Sequence, residues 1–185
     1  MHTVFCEEYQ TRIRRTEGLL RSALEKSLAL GTPLILASTT GDSAKRALDL
    51  LPPGKGRLVV VTYGGPSGWF DPEILRRLEA GGHAVLKHDP PFLLPTRFLC
   101  GISRILNRRV RRQWGEAGVT CVEIAKHALR AGRIGRGSRV VAVAGQEKGL
   151  DTALMLEIGA GGEVTPVTDA AGPEKVCLDQ GGSVS

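Results

Sequence analysis

Five short, almost continuously apolar runs constrain this chain more than any other feature of its sequence. The segments between most of them place Leu and Ala three and four residues apart, which is typical of helices with one buried face. Strands that are apolar on both faces are expected where helices cover both sides of a parallel sheet. We therefore predict a single three-layer α/β domain whose strands are the runs 33–38, 57–62, 83–87, 138–144 and 153–158.

The last two apolar runs differ from the others because only a short loop separates them. A parallel connection needs a crossover of a dozen or more residues, whereas antiparallel strands pair across a tight loop. We therefore predict a mostly parallel five-stranded sheet in which 153–158 is an antiparallel edge strand. The domain is expected to occupy residues 1–160, and the Gly-rich, polar stretch 161–185 is expected to form a partly ordered tail.

Several helix boundaries are marked by residues that cap or open helices. The apolar periodicity predicts a helix over 16–30, and Asp71 followed by Pro72 is typical of an N-cap with proline in the first turn. A further helix is expected over 96–113. Another is expected to start at Thr120, because Thr120 and Glu123 have the spacing of a capping box.

Composition and cysteine spacing bear on the compartment and on catalysis. The 4 Cys show no paired spacing, and no apolar run approaches the roughly 20 residues of a membrane helix. No apolar segment with a cleavage site is visible at the N-terminus, so we predict a cytoplasmic protein without a membrane partner. The sequence lacks metal-ligand spacing, a phosphate-binding P-loop and a nucleophile elbow, so it assigns no catalytic or metal-binding residue.

The net charge of +6 comes from one segment, residues 97–112. Six arginines with no acidic residue among them lie in this segment, and the rest of the chain has equal numbers of basic and acidic residues. On a helix, most of these arginines would lie opposite an apolar stripe, as on a solvated face. The alternatives are an anion contact through Arg97 or Arg104, pairing of helices in a homo-oligomer, and nucleic-acid binding. The low aromatic content of 4% and the absence of a binding motif argue against nucleic acid.

The loop after the first predicted strand is a candidate phosphate site. Ligands of α/β sheets bind beyond the carboxyl ends of the strands, and the free N–H groups at a helix start bind anions. Ordinary N-capping by the hydroxyl groups is the alternative interpretation. Asp42 would oppose a phosphate unless its carboxylate points outward. The candidate contacts in this loop are Ser38, Thr39, Thr40, Gly41 and Ser43.

Two more loops are expected at the same edge of the sheet. The loop after the second strand supplies Thr62, Gly64 and Gly65, and the aromatic residues Tyr63 and Trp69 could stack there on a ring or pack against the next helix. The loop between the last two strands supplies three further candidate contacts, although a tight turn would also require glycines. These contacts are Gly145, Gly149 and Thr152.

These segments resemble the C-terminal α/β domain of pyruvate kinase. The stretch 33–63, with its Ser-Thr-Thr-Gly-Asp-Ser-Ala loop, and the stretch 138–152 carry the resemblance. Three other segments look more like stand-alone relatives of that domain, which lack the catalytic barrel and for which no activity is established. These are the segments 5–8, 101–103 and 121–124.

The resemblance implies a five-stranded, mostly parallel sheet with an antiparallel last strand, and a role for two loops. In regulated pyruvate kinases the loop matching 38–43 holds a phosphate of an allosteric sugar bisphosphate, and the loop matching 145–152 closes over it. Asp42 departs from that pattern, and residues that would grip a second phosphate have no evident counterpart at 146–148. The resemblance therefore implies a phosphorylated ligand, with these departures arguing against a sugar bisphosphate.

The sequence favours a stand-alone domain that binds a phosphate-bearing small molecule: a nucleotide, flavin mononucleotide (FMN) or a phosphorylated metabolite. Pyruvate kinase activity is not expected, because its (β/α)₈ barrel alone needs about 250 residues. An enzyme acting on a phosphorylated metabolite, or a flavin-dependent oxidoreductase, is the first alternative. Nucleic-acid binding through the Arg97–Arg112 helix is the second.

Overall fold

The structure is a computed structural model that describes residues 2–63, 70–88, 100–145 and 149–167, with side chains described within 13–62, 70–87, 107–145 and 149–167. The apolar runs form strands, and the amphipathic segments form helices, as their hydrophobic patterns predict. In chain order the elements are α1 (His2–Leu30), β1 (Leu34–Ala37), α2 (Asp42–Leu50), β2 (Leu58–Tyr63), α3 (Pro72–Ala80), β3 (Ala84–His88), α4 (Cys100–Arg130), β4 (Arg139–Ala144), β5 (Thr152–Ile158) and β6 (Val164–Pro166).

The strands form a single mixed sheet in the order β3-β2-β1-β4-β5-β6. β1 pairs in parallel with β2 and β4, and β2 pairs in parallel with β3. β5 is antiparallel to both of its neighbours. This arrangement confirms the predicted three-layer α/β class. It corrects the number of strands, which is six and not five, and β6 rather than β5 lies at that edge.

The additional strand β6 comes from the stretch that the sequence analysis assigns to a tail. A tight turn directly after β5 reverses the chain, with the Gly159 N–H donating to the Glu163 carbonyl at 2.9 Å. Val164 then pairs with Ile158 and is buried. The first residues of the proposed tail therefore belong to the sheet, whereas residues 168–185 lie outside the described residues.

Helices cover both faces of the sheet. On one face α1, α2 and α3 contribute buried side chains that include Leu20, Ala47 and Leu78. On the other face α4 contributes Val122 and Ala125, among others. Successive strand residues alternate between the two cores because the side chains of a strand point to opposite faces in turn.

Two helix starts differ from the sequence-based predictions. α1 begins at His2, well before the predicted start at residue 16. α4 consists of two helical parts that meet at Gly115, where φ is 65° and ψ is −163°, close to the predicted helix end at residue 113. Thr120 does not begin the second part: it lies inside it, where its hydroxyl donates to the Glu116 carbonyl at 3.1 Å.

Strands β1 to β4 point in the same direction, so their carboxyl ends meet at one edge of the sheet, which we call the carboxyl edge; the opposite edge is the amino edge. The connections from β1 to β3 pass through α2 and α3 on one face, and α4 connects β3 to β4 across the other face. The strand order therefore reverses between β1 and β4. The carboxyl ends of these two strands flank the crevice in which α/β folds bind ligands.

Candidate functional site

The register of the sheet places two of the candidate loops, 38–43 and the loop after β4, next to each other. Leu36 of β1 pairs with Val143 of β4, so the continuation of both strands brings Ser38 beside Gly145. These residues begin the loops that leave the two strands at the carboxyl edge. The structure thus brings the 38–43 loop and the loop after β4 to the point where the strand order reverses.

The N-terminus of α2 opens at this point without a side-chain cap. Its N-cap residue is Gly41, which has φ 101° and ψ −13° and makes no side-chain hydrogen bond to the helix. The hydroxyl groups of this loop therefore do not serve as the N-cap, which was the alternative interpretation of the sequence. The first-turn N–H groups of this helix lack the side-chain acceptor that usually satisfies one of them.

Neighbouring segments hold the loop through its carbonyl groups. The Thr62 hydroxyl donates to the Thr39 carbonyl at 3.2 Å. The Asp71 N–H donates to the Thr40 carbonyl at 2.9 Å, while the Asp71 carboxylate caps α3 through the Glu73 N–H at 2.8 Å. Both contacts engage the carbonyl side of the loop, so they fix its path and leave the N–H groups of α2 free of these partners.

The side chains of the loop differ in their exposure. Ser38 is only 6% exposed, and its backbone N–H donates to the Val61 carbonyl at 3.1 Å. Thr39, Thr40 and Asp42 are exposed, and Ser43 is half-buried. Ser38 is thus the loop's buried hydroxyl, whereas Thr39 and Thr40 contribute mainly through backbone atoms that are already engaged.

Close backbone approach explains both glycines of the loop between β4 and β5. A Cβ atom on Gly145 would overlap the carbonyl group of Gly149. Gly149 has φ 104°, and a Cβ atom there would lie 2.9 Å from the hydroxyl oxygen of Thr16 in α1. The same Thr16 oxygen accepts a hydrogen bond from the buried Leu150 N–H at 3.2 Å. Gly145 therefore lets the two ends of the loop approach each other, and Gly149 lets the loop pack against α1.

The Thr152 side chain is engaged by its neighbour in the chain. Its hydroxyl donates to the Asp151 carboxylate at 2.8 Å. Its carbonyl accepts a hydrogen bond from the buried Cys121 thiol at 3.8 Å. Burial, with a smaller contribution from the negative charge of Asp151, raises the pKa of the Cys121 thiol far above its usual range. Cys121 is therefore a neutral packing residue rather than a nucleophile.

Carboxylates are prominent among the described side chains at this edge. Asp42, Asp71 and Asp151 are all exposed there. Arg46 in α2 is engaged by Glu17 at 3.2 Å. An anion at the N-terminus of α2 would meet backbone N–H groups and Ser38, with the exposed Lys45 of the same helical turn as the nearby cation in the sequence, and these carboxylates favour a ligand with a single phosphate group over a bisphosphate.

Several predicted contact residues lie outside the described part of the chain. These are Gly64, Gly65, Trp69 and Arg97, and the side chains of Tyr63 and Arg104 are also outside it. In the described part of the arginine segment, Val110 is buried as predicted. Arg111 pairs with Glu116 across the kink, with Nε and Oε1 2.6 Å apart. The remaining described arginines of the segment are exposed: Arg108, Arg109 and Arg112.

Comparison with known protein families gives no match: no family model matches this chain. Among the described residues, no helix is long and apolar enough to cross a membrane. The described side chains also contain no group of three or more His, Cys, Asp or Glu residues placed to hold a metal ion.

Proposed function

We propose that this domain binds a phosphate-bearing small molecule at the carboxyl edge, with the phosphate group at the N-terminus of α2. The observation that carries the proposal is the open start of α2, where Gly41 replaces a side-chain cap at the point of strand-order reversal. The hydroxyl of Ser38, a residue only 6% exposed that lies three positions before Gly41, offers a second kind of donor and supports the proposal. A phosphate oxygen would accept hydrogen bonds from both kinds of donor.

Asp42 limits the geometry of such a complex. It is the first residue of α2 and is exposed, so its carboxylate has room to turn toward solvent. Its charge favours the empty helix N-terminus and opposes an anion placed directly beside it. The ligand's phosphate is therefore expected on the Ser38 side of the helix start, facing the loop after β4.

The class of ligand follows from the sequence-based expectations. A nucleotide, FMN or another phosphorylated metabolite remains the proposed ligand, and the resemblance to the pyruvate kinase C-terminal domain remains a prediction. An enzyme acting on the same ligand, including a flavin-dependent oxidoreductase, is the alternative; pyruvate kinase activity is not expected. We also propose a cytoplasmic location.

The test is native mass spectrometry of the freshly purified protein, with an absorbance scan of the same sample and titrations with FMN and AMP. Removing the Ser38 hydroxyl in Ser38→Ala is expected to weaken binding tenfold or more, because a hydrogen bond to a charged group contributes about 1.5–3 kcal/mol. The control variant is Ser22→Ala, which removes a half-buried hydroxyl from α1. A bound flavin band would favour the oxidoreductase. Equal binding by both variants, or no binding of either probe, would contradict the proposed site.

A further inference from the structure

A second cavity lies at the opposite end of the sheet from the proposed phosphate site. It has a volume of about 490 Å³ and opens at the amino edge, between the end of α1, the loop before β2 and the loop after α4. The amino ends of β2 and β3 form its floor through Leu58, Val59 and Ala84. This volume is within the range of small-molecule sites, which is roughly 300–1,000 Å³.

The charged residues that line this cavity are both arginines, Arg57 and Arg133. Neither side chain makes a hydrogen bond or an ion pair with another described residue. Their backbones are fixed, since the Arg57 carbonyl accepts from the Leu34 N–H and the Arg133 N–H donates to the Ala128 carbonyl, each at 2.9 Å. Both residues are exposed, so two arginine side chains extend from fixed backbone positions at one cavity and remain open to a ligand.

The two arginines do not serve to bind the carbonyl groups at the nearby helix C-termini. Helix C-termini carry partial negative charge, and α1, α3 and α4 all end near this edge. Their last carbonyls are already satisfied by backbone N–H groups, such as Thr32 to Ser27 at 3.2 Å and His83 to Leu78 at 2.9 Å. The guanidinium groups make no hydrogen bond to these carbonyls, so their full charges remain available to a ligand.

The rest of the lining combines apolar side chains with glycine backbone. Leu28 and Pro33 contribute apolar surface, and Gly54 and Gly56 form a turn at positive φ beside them. A Cβ atom on Gly56 would lie 2.8 Å from Leu28 Cδ2, so glycine is what allows this loop to close against α1. Thr32, also in the wall, has a buried hydroxyl oxygen without a hydrogen-bond partner.

From these features we infer that the amino-edge cavity binds a small organic acid, with its anionic group at Arg57 and Arg133 and its apolar body over the Leu28 side of the cavity. Guanidinium groups recognise carboxylates through paired N–H donors, and the apolar lining favours a hydrocarbon chain over a free inorganic anion. This site is separate from the proposed phosphate site, because the two lie at opposite edges of the sheet.

The test uses hexanoate as the probe, with 1-hexanol and inorganic phosphate for comparison, followed by two-dimensional NMR of the whole ¹⁵N-labelled chain. Hexanoate is expected to shift the amide signals of Gly31, Gly54, Gly56 and Gly82 to saturation, and both comparison probes are expected to bind at least tenfold more weakly. Equal affinity for hexanol would overturn the anionic part of the proposal, and equal affinity for phosphate would overturn the apolar part.

Matched variants separate this site from general charge effects and from the proposed function. Arg57→Gln combined with Arg133→Gln is expected to weaken hexanoate binding at least tenfold. Arg108→Gln combined with Arg112→Gln removes the same charge from exposed positions of α4 and is expected to change binding less than twofold. Ser38→Ala is also expected to leave hexanoate binding unchanged. An equal loss in either control would overturn the assignment.

Discussion

The Nδ1 atom of His83 accepts a hydrogen bond from the backbone N–H of Leu58 at a distance of 3.2 Å. This contact joins the residue before β3 to the first residue of β2, at the amino edge. An imidazole nitrogen accepts a hydrogen bond only when it carries no proton, so the contact requires neutral His83. Burial also lowers the pKa of His83 below its usual value of 6.5.

The first prediction is that the stability of the domain falls as the pH decreases below about 6.5. In this range the unfolded chain takes up a proton at His83, while the folded chain resists it. The stabilisation that neutral His83 provides is therefore fully present above about pH 6.5 and decreases as the pH falls toward the lowered pKa of the folded state. Urea unfolding of the wild type and His83→Gln between pH 5 and pH 8 measures this effect. The stability difference between the two should rise with pH and then level off; a difference that is flat, or largest at pH 5, contradicts the prediction.

The second prediction concerns the hydrogen bond between α1 and the loop after β4. Thr16→Val keeps the shape of the side chain but leaves the buried Leu150 N–H without its acceptor. The free energy of unfolding should fall by about 1–3 kcal/mol, the usual cost of an unsatisfied buried donor. Thr16→Ser retains the hydroxyl and serves as the control. A loss with Thr16→Val that does not exceed the loss with Thr16→Ser would contradict the prediction, because only the Val variant removes the hydrogen-bond acceptor.

The third prediction concerns close packing within the same loop. Gly145→Ala places a Cβ atom against the backbone carbonyl of Gly149, which cannot move aside as a flexible side chain would. We expect a loss of about 1–3 kcal/mol in the free energy of unfolding, as for other overpacked positions. Thermal and urea unfolding measure this loss. Unchanged stability would show that the loop accommodates a Cβ atom at position 145, which would contradict the prediction.

The fourth prediction has the opposite sign. Gly18 lies in the middle of α1, and a Cβ atom there would have no heavy atom within 4 Å. Gly18→Ala should therefore stabilise the domain by about 0.5–1 kcal/mol, since alanine loses less backbone entropy in a helix. This variant also provides a glycine control for Gly145→Ala. Destabilisation by Gly18→Ala would contradict this prediction.

Sequence patterns predicted the central strands because their apolar runs leave little ambiguity. Leu34, Ile35 and Leu36 are all fully buried, as expected for a strand covered on both faces. β6 was not predicted, because a three-residue strand that ends in proline lacks any measurable period. Its formation depends on pairing with β5, which is a tertiary contact that the local sequence does not encode.

The break in α4 shows a second limit of local signals. The sequence predicts a helix that ends near residue 113 and another that starts at Thr120. The structure leaves the helical conformation at Gly115 and resumes it before Thr120, and Gly118 leaves room for Trp114, whose Cβ would overlap a Cβ at that position. Capping-box spacing alone therefore does not identify the residue at which a helix begins.

The candidate site was predictable in position but not in detail. The rule that ligands bind beyond the strand carboxyl ends located the 38–43 loop beside the loop after β4. It did not show that Gly41 rather than a hydroxyl side chain is the N-cap, or that Thr152 donates to Asp151. The same rule does not predict a site at the amino edge, where the arginine-lined cavity combines residues that are distant in sequence.

The short strand β6 has a consequence for how the domain behaves at high concentration. Thr165 pairs with Glu157, and the Val167 N–H donates to the Met155 carbonyl. Val164 and Pro166 alternate with these residues, so their backbone groups point away from β5. Proline has no N–H, which leaves Val164 as the outward donor of this strand. An edge with a single donor is a poor template for strand addition by another molecule. Strand addition to β6, which covers the Leu156–Ile158 part of β5, is thereby disfavoured.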